Sequence, residues 1–244
     1  MQDKYKYIGP LYDFLSAIYS GRNIHRCKNA MLDSSRIQPG TRVLFAGVGH
    51  GRDAIHAAEL GADVTVVDIS ETMLKQFGHL QEKEAPHLSI RQVHDDILAV
   101  GEPGGYDMVV ANFFLNVFDE STMLEVLEHL VKLARTDGDV VVGDFCYPTG
   151  NVFLRAFKQF YWYAAASIFW VLANNPWHSI YNYPRYMREL GLDIVEMRHF
   201  KLLNVNCYSS ILGRKRASRP GTPPTQEQAG NAERTSDRLA MDGA

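Results

Sequence analysis

The sequence predicts an α/β fold whose sheet is mainly parallel and carries helices on both faces. Two observations lead to this prediction. Between residues 42 and 145, short apolar runs alternate with helical stretches at the spacing of βαβ units. A glycine-rich loop also joins the first apolar run to the next helical stretch, as a tight turn between a strand and a helix requires.

The first strand of this predicted sheet runs directly into the glycine loop. Residues 43–46 are apolar, and Gly47, Gly49 and Gly51 follow at every second position. A second apolar run ends on Asp68, which comes 19 residues after Gly49. Glycines without Cβ let a ligand approach the backbone closely, and a carboxylate at the next strand end can accept hydrogen bonds from two ribose hydroxyls. The pattern predicts a nucleoside-binding site.

The remaining elements follow in order along the chain. Ser70 is a suitable cap for a helix that begins at Glu71. Beyond it we expect five strands, a turn at 137–139 and a further helix between the strands, besides the apolar helix at 152–173 described below. These strands cover residues 88–93, 106–112, 140–145, 192–200 and 205–212, and the helix covers 122–134.

The third glycine position decides which nucleoside the loop favours. A dinucleotide site prefers a G-x-G-x-x-G spacing, but Arg52 stands where its third glycine would be. The spacing Gly47-x-Gly49-x-Gly51 resembles the cofactor loop of class I S-adenosylmethionine-dependent methyltransferases. The segment from Asp68 to Leu74 is similar to that family as well. The resemblance implies a Rossmann-like sheet with an antiparallel C-terminal strand, and S-adenosylmethionine as the cofactor.

The resemblance also implies which residues bind the cofactor. The loop glycines approach it, Asp68 binds the ribose, and the residues after Asp68 cover the adenine. An acid that follows the third strand receives the adenine amino group, and Asn112 at the end of the fourth strand contacts the methionine part. The candidate cofactor-binding residues are therefore Gly47, Gly49, Gly51, Asp68, Ile69, Met73, Asp95, Asp96, Ile97 and Asn112.

A narrower resemblance points to the acceptor. Residues 24–26, 144–148 and 183–187 are similar to segments of the quinone-ring C-methyltransferases of ubiquinone and menaquinone biosynthesis. It implies a small, fairly apolar acceptor, such as a quinone precursor or a natural-product ring. Methyl transfer to a phenol or ring carbon needs a base, and Asp144 and then His178 lead the candidates. Tyr181, Tyr183 and His25 are further candidates.

Phe45 departs from the resembling family, which often has an acid two residues before the first glycine to orient the cofactor's ammonium group. Two other functions therefore stay open at this point. One is a non-catalytic S-adenosylmethionine-binding protein. The other is a nicotinamide-dependent oxidoreductase, which Arg52 disfavours.

The domain organisation departs from simple alternation after the fifth strand. Residues 1–212 are predicted to form the methyltransferase domain, with an aromatic helical insertion near 152–186, and residues 213–244 a disordered tail. The apolar helix at 152–173 has three interpretations: a buried core helix, a lid over an apolar substrate, or a surface that makes peripheral membrane contact. The basic residues near 214–219 could assist at an anionic membrane.

Composition excludes some classes of partner. The net charge of −3 gives no indication of nucleic-acid binding, and the three cysteines, Cys27, Cys146 and Cys207, lack the spacing of a zinc site or a disulfide framework. A reducing compartment and a cytoplasmic location are expected, since the first residues lack an apolar signal-peptide run. The oligomeric state is not predicted.

Overall fold

A seven-stranded mixed sheet organises the chain. The computed structural model describes residues 21–147, 180–202 and 205–217. The strand order is β3-β2-β1-β4-β5-β7-β6, in which β1 to β5 pair in parallel and β7 runs antiparallel to both of its neighbours. The predicted α/β class, with a mainly parallel sheet and an antiparallel C-terminal strand, is confirmed.

The elements are numbered here in chain order. The helices are α1 (Gly21–Asn29), α2 (Arg52–Glu59), α3 (Glu71–Glu84), α4 (Glu120–Leu133) and α5 (Tyr183–Glu189). The strands are β1 (Arg42–Ala46), β2 (Asp63–Asp68), β3 (Arg91–His94), β4 (Tyr106–Asn112), β5 (Ala134–Phe145), β6 (Leu192–Leu202) and β7 (Val205–Lys215). Short 3₁₀ turns at Ile97–Ala99 and Leu115–Val117 follow β3 and β4.

The two faces of the sheet carry separate apolar cores, because successive strand residues point to opposite sides. On one side Leu44, Val109 and Val142 pack with Leu127 and Leu130 of α4 and with Met187 of α5. On the other side the alternate residues Val43, Val110 and Val141 pack with Ile55 of α2 and with Leu74 and Phe77 of α3. Helices cover both faces, as the sequence predicts.

Side-chain caps set where two helices begin. The Ser70 hydroxyl accepts a 3.3 Å hydrogen bond from the Met73 amide, and α3 begins at Glu71 as predicted. Asp119 accepts a 2.9 Å hydrogen bond from the Thr122 amide, so α4 begins at Glu120 rather than at Thr122. The predicted start at Thr122 is two residues late, because Asp119 caps the helix.

Two of the five strands after α3 begin at residues other than those predicted. β3 begins at Arg91 and not at residue 88, because the Leu88 amide donates to the Ala85 carbonyl in the turn that ends α3. β5 already begins at Ala134, so the predicted turn at 137–139 is an irregularity within a strand, and the pairing with β4 shifts between Tyr106 and Met108. Asp137 has a φ of 59° at this irregularity.

The C-terminal strand continues past the predicted domain boundary at 212. β7 extends to Lys215, and its basic side chains are tied to the fold. Arg214 donates two hydrogen bonds of 2.8 and 3.1 Å to the Asp139 carboxylate, and the Lys215 ammonium donates to the Val131 and Ala134 carbonyls at the end of α4. These two residues therefore belong to the folded domain and not to a tail.

The aromatic segment 152–173 and the residues from 218 onward lie outside the described residues. Among the helices that are described, none is long and apolar enough to cross a membrane.

Candidate functional site

The glycine loop between β1 and α2 adopts backbone angles that favour glycine. Gly47, Gly49 and Gly51 have φ values of 75°, 48° and 69°. A Cβ on Gly47 would lie 2.6 Å from the Phe114 ring, and one on Gly51 would lie 2.1 Å from the Phe77 ring. A Cβ on Gly49 would instead meet the Lys28 ammonium nitrogen at 3.4 Å. Two glycines are thus required by packing, and Gly49 faces a charged group.

Asp68 holds this loop in place from the end of β2. One carboxylate oxygen accepts a 2.8 Å hydrogen bond from the Val48 amide within the loop, and the other accepts one of 2.8 Å from the Ser70 amide. The residue is half-buried at the carboxyl end of β2, the edge of an open α/β sheet at which ligands bind. Each carboxylate oxygen can accept more than one hydrogen bond, as the binding of ribose hydroxyls requires.

The residues after β2 and β3 lie side by side, because Asp68 pairs with His94 in the sheet. Ile69 exposes 60% of its surface at this edge. Asp96 caps the short turn that follows β3, accepting from the Leu98 amide at 2.9 Å, while Asp95 accepts from the Asp96 amide at 2.8 Å. Of the other two candidates here, Met73 is half-buried and Ile97 is buried. The residues predicted to bind adenine therefore follow the carboxyl ends of the neighbouring strands β2 and β3.

Asn112 ends β4 and reaches towards α1 and α2. Its amide nitrogen donates to the Lys28 carbonyl at 3.1 Å and to Asp53 Oδ2 at 2.9 Å. A Cβ on its sheet partner Gly143 would come within 2.3 Å of Asn112 Oδ1, so this arrangement requires glycine at 143. That Oδ1 atom is buried and has no hydrogen-bond partner among the described residues.

Asp144 lies at the carboxyl end of β5, where the sequence places it, but it is 1% exposed. Its Oδ2 accepts a 2.7 Å hydrogen bond from the Tyr183 hydroxyl. Its Oδ1 accepts from the Asn116 amide nitrogen at 2.9 Å and from the Phe145 amide at 2.7 Å. Burial raises the pKa of Asp144 to about 7, although these hydrogen bonds lower it. The group can therefore exchange a proton near neutral pH.

Phe113, Phe145 and Tyr208 form an aromatic cluster at the carboxyl ends of β4 and β5, and Phe145 follows Asp144 in the chain. The three ring centroids are 5.6 to 5.8 Å apart. Phe113 follows Asn112 directly and has a φ of 54°, an uncommon conformation for an aromatic residue that its amide supports by donating to the Gly143 carbonyl. Two of these rings, Phe113 and Phe145, are half-buried and present apolar surface at the carboxyl ends of β4 and β5.

The sequence analysis missed several residues of this site and named others that the structure does not describe. Lys28, Asp53 and the aromatic cluster were missed, and the position of Phe113 directly after Asn112 was the available signal. His178, the second candidate base, lies outside the described residues. His25 lies near the loop, and its pKa is lowered by burial and by the nearby charges of Lys28 and Arg52. Within the described ranges, no three His, Cys, Asp or Glu side chains are grouped as metal ligands.

Comparison with known proteins identifies the fold and its chemistry. The methyltransferase domain family matches residues 43–138, which span β1 to the start of β5 and include the glycine loop, Asp68 and Asn112. These residues carry a methyltransferase domain. The resemblance seen in the glycine loop is thereby confirmed, and the chain is an S-adenosylmethionine-dependent methyltransferase.

Curated relatives of this methyltransferase include enzymes of quinone biosynthesis. The demethylmenaquinone methyltransferase of Renibacterium salmoninarum is 24% identical over 174 residues, which cover 71% of this chain and 70% of the relative. The ubiquinone biosynthesis O-methyltransferase of Albidiferax ferrireducens is 33% identical over 92 residues, which cover 37% of this chain but 32% of the relative.

Solved structures show that the methyltransferase shares its fold with enzymes of varied acceptors. The 1,6-didemethyltoxoflavin-N1-methyltransferase of Burkholderia thailandensis has a TM-score of 0.59 at 18% identity, covering 89% of this chain and 92% of that one. The magnesium protoporphyrin IX methyltransferase of Synechocystis has a TM-score of 0.61 at 20% identity, covering 87% and 96%. At this level of identity the likeness concerns the fold alone.

Proposed function

We propose that this methyltransferase acts on a small, fairly apolar acceptor such as a quinone precursor or a natural-product ring. The cluster of Phe113, Phe145 and Tyr208 carries this proposal, because it offers apolar ring surface at the strand ends, and Asp144, the residue before Phe145, is a group that can accept a proton. Two relatives support it: one is named as a demethylmenaquinone methyltransferase and the other as a ubiquinone biosynthesis O-methyltransferase.

The residues of the glycine loop and its neighbours fit the cofactor. We propose that Gly49 lets it approach the backbone, that Asp68 binds the ribose and that Ile69 and Met73 cover the adenine. Ile69 supports this role because a side chain that is 60% exposed offers apolar surface to a flat ring. Asp96 is engaged as a helix cap through Oδ1, and its other oxygen is our choice for the adenine amino group.

The cofactor, when bound, supplies a methyl group activated by its sulfonium. The protein's own contribution is to position the acceptor in line with that group and to exclude water. We propose that the half-buried rings of Phe113 and Phe145 orient the acceptor against the carboxyl ends of β4 and β5. We also propose that Asp144 takes the acceptor's proton, since a pKa of about 7 lets the carboxylate accept a proton at neutral pH.

The experiment that tests the cofactor assignment is calorimetric titration of the protein with S-adenosylhomocysteine and, separately, with NADH. We expect binding of S-adenosylhomocysteine alone and its loss in Asp68→Ala. Glu71→Ala, which lies three residues later on the exposed start of α3, is the matched control and should bind normally. Binding of NADH in place of S-adenosylhomocysteine would overturn the assignment.

The acceptor is tested with S-adenosylmethionine labelled in its methyl group. Label should enter an apolar ring acceptor, such as a demethylated naphthoquinol or a catechol, and not a polar amine or a nucleic acid. Phe145→Leu should raise the acceptor's KM while the affinity for S-adenosylhomocysteine stays unchanged. Phe118→Leu removes a half-buried ring outside the aromatic cluster and is the control. An unchanged KM in Phe145→Leu would remove the cluster from the acceptor site.

A further inference from the structure

Two cysteines that are far apart in the sequence meet at one end of the sheet. Cys146 directly follows β5, and Cys207 lies near the start of β7. The two strands are antiparallel neighbours whose register pairs Phe145 with Tyr208, so the next pair outward is Cys146 with Cys207. The spacing of the cysteines along the chain does not indicate this pairing, because the fold creates it.

A backbone hydrogen bond shows that the two cysteines are opposed. The Cys146 amide donates to the Cys207 carbonyl at 2.8 Å. In an antiparallel ladder such a bond joins residues that lie directly opposite, with Cα atoms about 5.5 Å apart and side chains on the same face. Disulfides span Cα separations of about 4.4–6.8 Å. The backbone therefore holds the two cysteines at a separation that a disulfide can bridge.

The end of β5 also allows the small adjustment that a disulfide requires. Opposed residues of this kind have Cβ atoms roughly 5.5 Å apart, about 1–2 Å more than in a disulfide. The last pair between β4 and β5 is Asn112 with Gly143, and Cys146 lies beyond it. The peptide at Cys146 can therefore shift towards β7 without breaking the ladder between β4 and β5.

Exposure distinguishes these two thiols from the third. Cys146 and Cys207 are half-buried, and both are reduced in the structure. Cys27 is 0% exposed, and burial together with the charge of Asp144 raises the pKa of its thiol. Oxidants react with accessible thiolates, whereas a raised pKa keeps a thiol protonated. Cys27 is therefore protected, while an oxidant in solvent can reach the opposed pair.

We propose that Cys146 and Cys207 are a redox-sensitive pair, which hydrogen peroxide converts to an intrachain disulfide. The sulfur of one thiolate attacks the peroxide, so that an S–O bond forms, the O–O bond breaks and the leaving hydroxide takes up the thiol proton as water. The second thiol attacks this sulfenic sulfur, so that the S–S bond forms, the S–O bond breaks and a second water leaves. Two sulfurs are oxidised and one peroxide is reduced.

The disulfide stabilises the fold, because α5 and β6 lie between the two cysteines in the chain. A cross-link that closes so long a segment lowers the conformational entropy of the unfolded chain. A dithiol reductant reverses the bond by exchange, as expected of a redox-sensing pair in a reducing compartment. The proposal goes beyond methyl transfer and does not depend on the identity of the acceptor.

The test is treatment of the full-length protein with hydrogen peroxide, alkylation of the remaining thiols in denaturant, and tryptic digestion. Trypsin cleaves after Lys and Arg, so the three cysteines fall in separate peptides, which are 27–28, 136–155 and 202–214. Mass spectrometry should find peptides 136–155 and 202–214 joined by a disulfide, and Cys27 alkylated. Dithiothreitol added before alkylation should abolish the joined species.

The melting temperature provides an independent measurement. Peroxide should raise the Tm of the wild type by at least about 5 °C, and dithiothreitol should reverse the rise. Cys146→Ser and Cys207→Ser each retain one thiol of the pair and should lose the rise. Cys27→Ala is the matched control and should keep both the rise and the joined peptides.

Three results would overturn the proposal. The first is a joined species that contains Cys27 or links two copies of the chain in place of peptides 136–155 and 202–214. The second is conversion of Cys146 or Cys207 to sulfinic or sulfonic acid without the joined peptides. The third is an equal rise in Tm in Cys207→Ser, which would show that the cross-link is not its cause.

Discussion

The Tyr183 hydroxyl donates a 2.7 Å hydrogen bond to Asp144 Oδ2, and these two side chains are 2% and 1% exposed. The bond joins α5 to the end of β5, close to the proposed acceptor site. Burial raises the pKa of both groups, and the negative charge of Asp144 raises that of Tyr183 further. The phenol therefore remains the donor, and the proton that titrates near neutral pH belongs to Asp144.

Tyr183→Phe should destabilise the protein more at pH 8 than at pH 5. At pH 8 Asp144 is mainly a carboxylate, and removal of the phenol leaves one of its buried oxygens without a donor, which costs about 2 kcal/mol. At pH 5 the carboxyl is protonated and the loss is smaller. Urea unfolding at the two pH values measures the difference. Tyr181→Phe, which removes a bond to the Phe118 carbonyl, should cost the same at both. An equal loss for Tyr183→Phe at pH 5 and pH 8 would contradict this account.

Asp144→Asn should remove a pH dependence of stability. The folded-state pKa lies above the unfolded value of 3.8, so the folded state binds more protons between pH 4 and about 7 and loses stability as the pH rises through this window. The shift to about 7 corresponds to roughly 4 kcal/mol, an order-of-magnitude figure. The free energy of unfolding of Asp144→Asn should therefore rise relative to that of the wild type as the pH rises from 4 to about 7, which urea unfolding at several pH values measures.

Asp119 provides a control of opposite sign for that measurement. Hydrogen bonds from Thr122 and Ser121 lower the pKa of Asp119, so its contribution is present above its unfolded pKa and is lost as the pH falls. The difference in the free energy of unfolding between Asp119→Asn and the wild type should thus become smaller as the pH falls. If the two variants shift stability with the same sign, the burial of Asp144 does not control its protonation.

The sequence predicted those parts of the site that depend only on neighbouring residues in the chain. Asp68 and Asn112 are named correctly as strand-end residues because an apolar run followed by a polar side chain marks the end of a buried strand. Lys28 and Asp53 could not be found this way, because they meet only when α1 packs beside the loop. Likewise the position of Asp144 was predicted, but its near-complete burial depends on Tyr183 and Asn116, which are distant along the chain.

The loop glycines should separate into packing and binding positions. Gly51→Ala should destabilise the fold by about 2 kcal/mol or more, because its Cβ would lie 2.1 Å from the buried Phe77 ring at a φ of 69°. Gly49→Ala should cost about 1 kcal/mol of backbone strain but weaken S-adenosylhomocysteine strongly, since its Cβ would stand between ligand and loop. Thermal melts and calorimetric titration of both variants test this. Comparable stability and comparable affinity in the two would show that the loop has no such division.

Arg214 should contribute to stability although it lies beyond the boundary that the sequence indicated. It bonds both oxygens of Asp139, whose side chain is 11% exposed, and a paired carboxylate of this kind becomes costly when its partner is removed. We expect Arg214→Gln to lower the free energy of unfolding by about 1–2 kcal/mol. Arg216 pairs with Asp193 through side chains that are 73% and 41% exposed, so Arg216→Gln should change it by less than about 0.5 kcal/mol. If neither substitution changes the free energy of unfolding, the Arg214–Asp139 pair does not stabilise the fold. If both substitutions also weaken binding to anionic vesicles, these basic residues bind a membrane surface instead.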